Sequence, residues 1–214
     1  KQKTAYEIGV RLVGSEMCIR DRATGLLTGV ANAYQAGDWL VRGGIWGAFP
    51  KSDNLSLPLG TVEVDDGVTF GFNITHMISP NLGVELLGAW PFSHDIKLGG
   101  RKVGETKHLP PTVTLQYHFL PQNPVRPYVG LGLNYTFFFD EGTTGALTGT
   151  KLSLKDSWGL AAQAGVDIDV TPDWFLNLDV HYIDIDTKAK VNGASLGTVE
   201  IDPWVFGINL GTRF

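Results

Sequence analysis

Cysteine is almost missing from this chain, with one residue, Cys18, in 214. A single thiol excludes an internal disulfide framework and any cysteine-based metal cluster. Positive charge is also scarce: 17 Lys and Arg stand against 22 Asp and Glu, a formal net charge of −5. A nucleic-acid-binding face needs a basic patch, and this balance does not supply one. No run approaches the ~18 consecutive apolar residues of a transmembrane helix. A membrane is not excluded on that account, because a spanning barrel alternates polar and apolar residues and disappears in averages along the chain.

The first 33 residues stand apart. Residues 1–21 (KQKTAYEIGVRLVGSEMCIRD) follow neither a helical nor a strand period. They resemble translated sequencing-adapter read-through and are expected to lie outside the fold, a genuine tail being the alternative. Residues 22–33 are small and apolar and close on Ala31-Asn32-Ala33, the pattern of the back half of a secretory signal peptide cleaved after Ala33. A short buried strand is the competing reading. Residues 1–33 hold five basic and three acidic residues, so the remaining 181 carry 12 Lys and Arg against 19 Asp and Glu, a net −7. Export without cysteine suits a Gram-negative envelope protein that does not depend on disulfides.

From Asp38 onward the dominant period is two, the signature of strands. In the closing segment Trp204, Phe206, Ile208, Leu210, Thr212 and Phe214 share one face, against Val205, Gly207, Asn209, Gly211 and Arg213. The same alternation recurs around Phe70–Ile74, Val84–Phe92, Val113–Phe119, Val129–Phe137, Leu160–Ile168 and Trp174–Tyr182. With residues 39–49 these segments predict eight strands. Short turns at Ser79-Pro80-Asn81, Pro121–Pro124 and Thr171-Pro172-Asp173 have Pro and Asn chemistry. Longer, Gly-rich polar loops are expected over 50–66, 94–109, 140–153 and 187–199. The prediction is an all-β, eight-stranded antiparallel up-and-down barrel.

Which face points inward separates two classes. A soluble barrel of this size puts its apolar face inside. Here one face holds small, amide and charged residues, while the other is apolar with aromatics near the strand ends. Trp39, Tyr117, Phe119, Trp174 and Phe214 fall near one rim; Phe49, Trp90, Phe92, Phe137, Phe139 and Trp204 fall near the other. Two aromatic girdles around an apolar band are the outer-membrane pattern. The expected location is therefore the outer membrane. The expected partners are its lipid and lipopolysaccharide, and the barrel assembly machinery reached through the C-terminal strand ending in Phe214.

Several blocks in order resemble the outer membrane protein W (OmpW) family. They are 81–87 (NLGVELL), 107–112 (KHLPPT), 126–130 (RPYVG), 134–136 (NYT), 152–159 (LSLKDSWG), 184–187 (DIDT) and 201–205 (IDPWV). The resemblance covers 34–214. It implies a narrow, unusually apolar interior that passes small hydrophobic molecules and releases them sideways through a wall opening. One position departs from it: His181 stands where a lumen Trp is common, which implies a more polar constriction.

Sorting inward residues by height extends the residue-level reading. Arg42, Glu85, Arg126, Asp167, Asp169, Asp179 and Arg213 fall in the periplasmic half and are expected to pair into a closed charged floor. Trp46, Ala89, Phe138 and Val205, with Leu87 and His181 near mid-height, are expected to form an apolar path above it. Pro91, Pro110 and Pro111 cannot complete a ladder and are candidates for a lateral gate, unless they merely end strands. A small apolar solute is the expected cargo. The alternative is a structural or adhesive barrel whose loops receive phage, toxin or host surfaces.

Other signals are weaker. Gly130-x-Gly132 has no helix after it and is not a phosphate loop. Asp167-x-Asp169 balances the arginines, and Asp184-x-Asp186 is a solvated face or a rim cation site. His94 and His108 lack a third metal ligand. No nucleophile sits on a strained turn as a hydrolase requires. No catalytic, cofactor or metal residue is therefore assigned.

Overall fold

Strict alternation of large apolar and small or polar residues leaves each segment with one greasy face, and such segments gain most by pairing edge to edge in a closed sheet. The computed structural model describes residues 33–52, 54–58 and 60–214. The readings of 1–21 and 22–33 lie outside the described residues except at Ala33.

The strands are β1 (Trp39–Phe49), β2 (Leu55–Leu57), β3 (Gly60–Val64), β4 (Gly67–Met77), β5 (Leu82–Ala89), β6 (Phe92–Leu98), β7 (Arg101–Leu109) and β8 (Thr112–His118). They continue as β9 (Val125–Thr143), β10 (Leu152–Leu154), β11 (Ser157–Asp169), β12 (Trp174–Ile183), β13 (Asp186–Val191), β14 (Ala194–Glu200) and β15 (Trp204–Arg213). Eight of them, β1, β4, β5, β8, β9, β11, β12 and β15, form an antiparallel barrel in which each pairs with its neighbours in chain order. Pairing of β1 with β15, from Leu40↔Arg213 to Phe49↔Trp204, closes the ring and leaves no free edge.

The apolar face points outward. Ile45, Leu131, Leu160 and Ile208 are each more than 60% exposed, while Arg42, Asn73, Glu85, Gln116, Asp167 and Asn177 inside are buried. Water could not tolerate that arrangement; lipid requires it.

The four long connections differ from the expectation of irregular loops, because seven short strands occupy them. β6 and β7 form a hairpin turned by Gly99-Gly100, both at positive φ, and β13 and β14 one turned by Asn192-Gly193, likewise at positive φ. These are the two-residue turns whose twist matches the flanking strands. β10 joins β13, and β3 joins β6. High polar and glycine content concealed a period of two that these segments keep.

Phe92 is a correction. It was expected on the outward girdle with Trp90, but it is 2% exposed and packs inside. The chain bends at Trp90-Pro91, and the bend shifts the alternation of faces between β5 and β6.

Candidate functional site

Toward the short-turn end of the barrel the interior is a dense network of buried polar side chains. Arg42 on β1 is buried and donates through Nε to Asp167 Oδ1 at 3.0 Å and through Nη2 to Asp167 Oδ2 at 2.7 Å. Its Nη1 reaches Thr75 at 2.8 Å and Glu85 at 3.4 Å. Two-pronged contact of this kind suits a guanidinium and a carboxylate, and burial makes it obligatory. Arg126 pairs with Asp169 nearer the mouth. Arg213 differs from the expected set: it lies 3.6 Å from Asp38, at the rim. Asp179 also differs, taking no arginine and accepting instead from the Tyr128 hydroxyl at 2.9 Å and Gln163 Nε2 at 2.8 Å.

Above the floor the interior turns apolar. Trp46, Leu87, Phe138 and Val205 are buried in one cluster with Ala161, Ile183 and Ile201, and Ala89 packs against it. Space for Trp46 comes from neighbouring strands: a Cβ added at Gly71 or Gly207 would sit 2.7 or 2.8 Å from the indole. His181 is fully buried between the two zones, its ring 5.6 Å from that of Trp46.

The cluster continues upward into the extramembrane strands. Leu55, Ile96, Val103, Leu152 and Leu196, together with Phe138, line a cavity of about 170 Å³. Its lining is apolar, and this cavity lies in the loop layer, above the buried side chains of the barrel interior.

Pro91, Pro110 and Pro111 lie beside an interruption of the wall. The β5–β8 ladder ends at Leu87↔Thr112, and the β6–β7 ladder begins at Phe92↔His108. Residues 88–91 and 109–111 fall between the two registers. Pro91 is exposed, Pro111 half-buried and Pro110 buried.

His94 and His108 do meet, but as stacked rings with centroids 4.7 Å apart and planes inclined by 14°. Face-to-face rings do not converge their nitrogens on one ion. Burial lowers the pKa of both, and His94 also helps push His108 down, to about 3. Asp184 and Asp186 gather with Asp202 into an exposed acidic group. Partial burial, then the charges of Asp202, Asp184 and Glu200, raise the pKa of Asp186.

A profile of the OmpW family matches residues 35–214. The chain belongs to the OmpW family. It is 43% identical over 197 residues to outer membrane protein W of Vibrio cholerae, covering 85% of this chain and 91% of that protein. The crystal structure of the outer membrane protein OprG from Pseudomonas aeruginosa superposes with a TM-score of 0.76 at 35% identity, covering 85% of this chain and 98% of that one. A more distant relative is the dibenzothiophene metabolism operon protein PahQ of Pseudomonas aeruginosa, 26% identical over 168 residues, or 74% of this chain and 77% of that protein. Family membership and the closed barrel together place the chain in the outer membrane, surrounded by lipid.

Within this OmpW-family barrel the inward aromatics Tyr34, Tyr128 and Phe175 were not anticipated. Tyr34 precedes the first strand, so no alternation could assign it; its hydroxyl donates to Asp167 at 2.7 Å and its ring lies 4.4 Å from the Arg126 guanidinium. Tyr128 and Phe175 sit on the inward register of β9 and β12, a signal that was available. Both lie under the Arg42 guanidinium, 5.4 and 5.5 Å from it.

Proposed function

We propose that the chain is an outer-membrane channel for passive uptake of small hydrophobic molecules. One observation carries this reading: the apolar loop cavity and the apolar upper interior share residues of one cluster, and hydrogen-bonded polar side chains fill the interior below it. An apolar solute leaving water gains roughly 25 cal/mol for each Å² it buries, and the cavity offers such burial. Leu87, Ala89, Phe138, Val205 and Trp46 carry it down to His181. Below, Arg42 holds Glu85 and Asp167, Tyr128 and Gln163 hold Asp179, Arg126 pairs with Asp169 at the mouth, and Arg213 meets Asp38 at the rim. A dehydrated solute has no partner there and exits sideways. The break beside Pro91, Pro110 and Pro111 is the exit we assign, because proline has no N–H with which to complete a ladder. PahQ, named for an operon of dibenzothiophene metabolism, supports the same class of cargo. Lipopolysaccharide around the outward band and the assembly machinery at β15 and Phe214 beyond it complete the proposed partners.

The test is uptake of an apolar fluorophore and a polar control into liposomes bearing the folded barrel. Wild-type protein should accelerate only the apolar probe. Pro110→Val with Pro111→Thr should slow that uptake several-fold while heat-modifiable migration stays normal, and Leu87→Trp should slow it by blocking the path. Uptake untouched by the proline pair removes the lateral exit. No flux of either probe favours the structural or adhesive barrel.

A further inference from the structure

We propose that Glu85, Asp179 and His181 form a divalent-cation site in the barrel floor, of the nitrogen-and-oxygen donor type that takes zinc or a neighbouring first-row transition ion. Strands β5 and β12 bring these residues together across the lumen, and each offers one donor atom within 4.8 Å of the other two. His181 Nε2 and Asp179 Oδ1 are 3.5 Å apart. Two donors of a tetrahedral zinc ion with bonds of about 2.0–2.1 Å lie roughly 3.3 Å apart, so little adjustment is needed.

Three further observations point to a ligand. Both ring nitrogens of His181 and the Oδ1 of Asp179 are buried without a hydrogen-bond partner. Buried polar atoms of this kind normally have one. Asp179 Oδ2 is already held by Tyr128 and Gln163, and Glu85 accepts at Oε1 from Gln163 Nε2 at 2.8 Å and at Oε2, over the longer distances of 3.3 and 3.4 Å, from Thr75 and Arg42. Such outer contacts aim first ligands at a metal.

Charge supplies the third. Among the described residues Arg42 is the one arginine that pairs with any of Glu85, Asp167 and Asp179, closely with Asp167 at 2.7 Å and more loosely with Glu85 at 3.4 Å. Two negative charges remain over, in a site where unbalanced charge is costly. A divalent ion with neutral His181 removes that excess. One imidazole and two carboxylates suit zinc and its neighbours, whereas calcium asks for six or more oxygens.

Folded barrel in detergent, stripped with chelator, is titrated calorimetrically with zinc chloride and, separately, with cobalt(II) read by visible absorption. One equivalent should bind. His181→Gln and Glu85→Gln should each weaken binding by roughly tenfold or more. Asp184→Asn with Asp186→Asn, in the exposed group, should leave it unchanged. X-ray absorption of the zinc-loaded wild type should show one imidazole nitrogen among oxygens, a readout that stands if a variant fails to fold. Absence of stoichiometric binding, an all-oxygen shell, or loss of binding in the Asp184/Asp186 variant would each overturn the site. The first result would leave the two charges to be neutralised by protons.

Discussion

Arg42 joins two buried carboxylates, because Asp167 and Glu85 both pair with it and neither has access to water. Methionine approximates its length but leaves two buried carboxylates facing an apolar stem. Breaking a buried pair from one side costs roughly 3–5 kcal/mol, so Arg42→Met should lower stability by that order in reversible urea titrations from lipid vesicles. Adding Asp167→Asn should recover part of the loss, which a purely steric role for Arg42 would not permit. That Arg42, Glu85, Asp167 and Asp179 face inward was legible from the alternation, and all four are buried. Their pairing was not, because alternation fixes a face and a level but not an azimuth. Asp179 and Arg213 share that register, yet one meets Tyr128 and Gln163 and the other Asp38.

The β6–β7 hairpin illustrates what a strand-length element adds. Its Gly99-Gly100 turn, like Asn192-Gly193 in β13–β14, is a strong local hairpin signal, but the polar composition of both segments masks it. The barrel strands were legible because a lipid-facing side forces a long, uninterrupted period of two; outside the membrane that constraint is lifted and the period shortens. The hairpin also carries a pH dependence. His94 and His108 stack in its buried base, and burial holds both pKa values below the usual 6.5, that of His108 near 3. A lowered folded pKa means that unfolding takes up protons. The hairpin should therefore keep its full stability above about pH 6.5 and lose it progressively as pH falls toward 3. Amide exchange at Thr106–Leu109, followed across that range, should accelerate in acid. His108→Phe should flatten the profile; a profile unchanged by that replacement would place the sensitivity elsewhere.

At the scale of the whole molecule, the inverted distribution of polarity is a thermodynamic statement about the solvent. Leu131 is 73% exposed near the middle of the barrel-paired part of β9, 125–136, between Leu115 on β8 and Ala162 on β11. Val170 is 64% exposed but lies in the short β11–β12 turn at the periplasmic rim. Neither side chain packs into the interior, so in a water-soluble barrel arginine at either position would be nearly neutral. In a bilayer the two must differ, because lipid-facing arginine costs roughly 2–4 kcal/mol at the midplane and about 0–1 near the interface. Leu131→Arg should therefore destabilise the barrel by several times as much as Val170→Arg when both are unfolded by urea from the same vesicles. The difference should shrink in vesicles of shorter-chain lipid, whose thinner hydrocarbon lets a mid-strand guanidinium reach the headgroups. Equal and small effects at the two positions would mean that the outward apolar band does not face hydrocarbon and is covered by a protein partner instead.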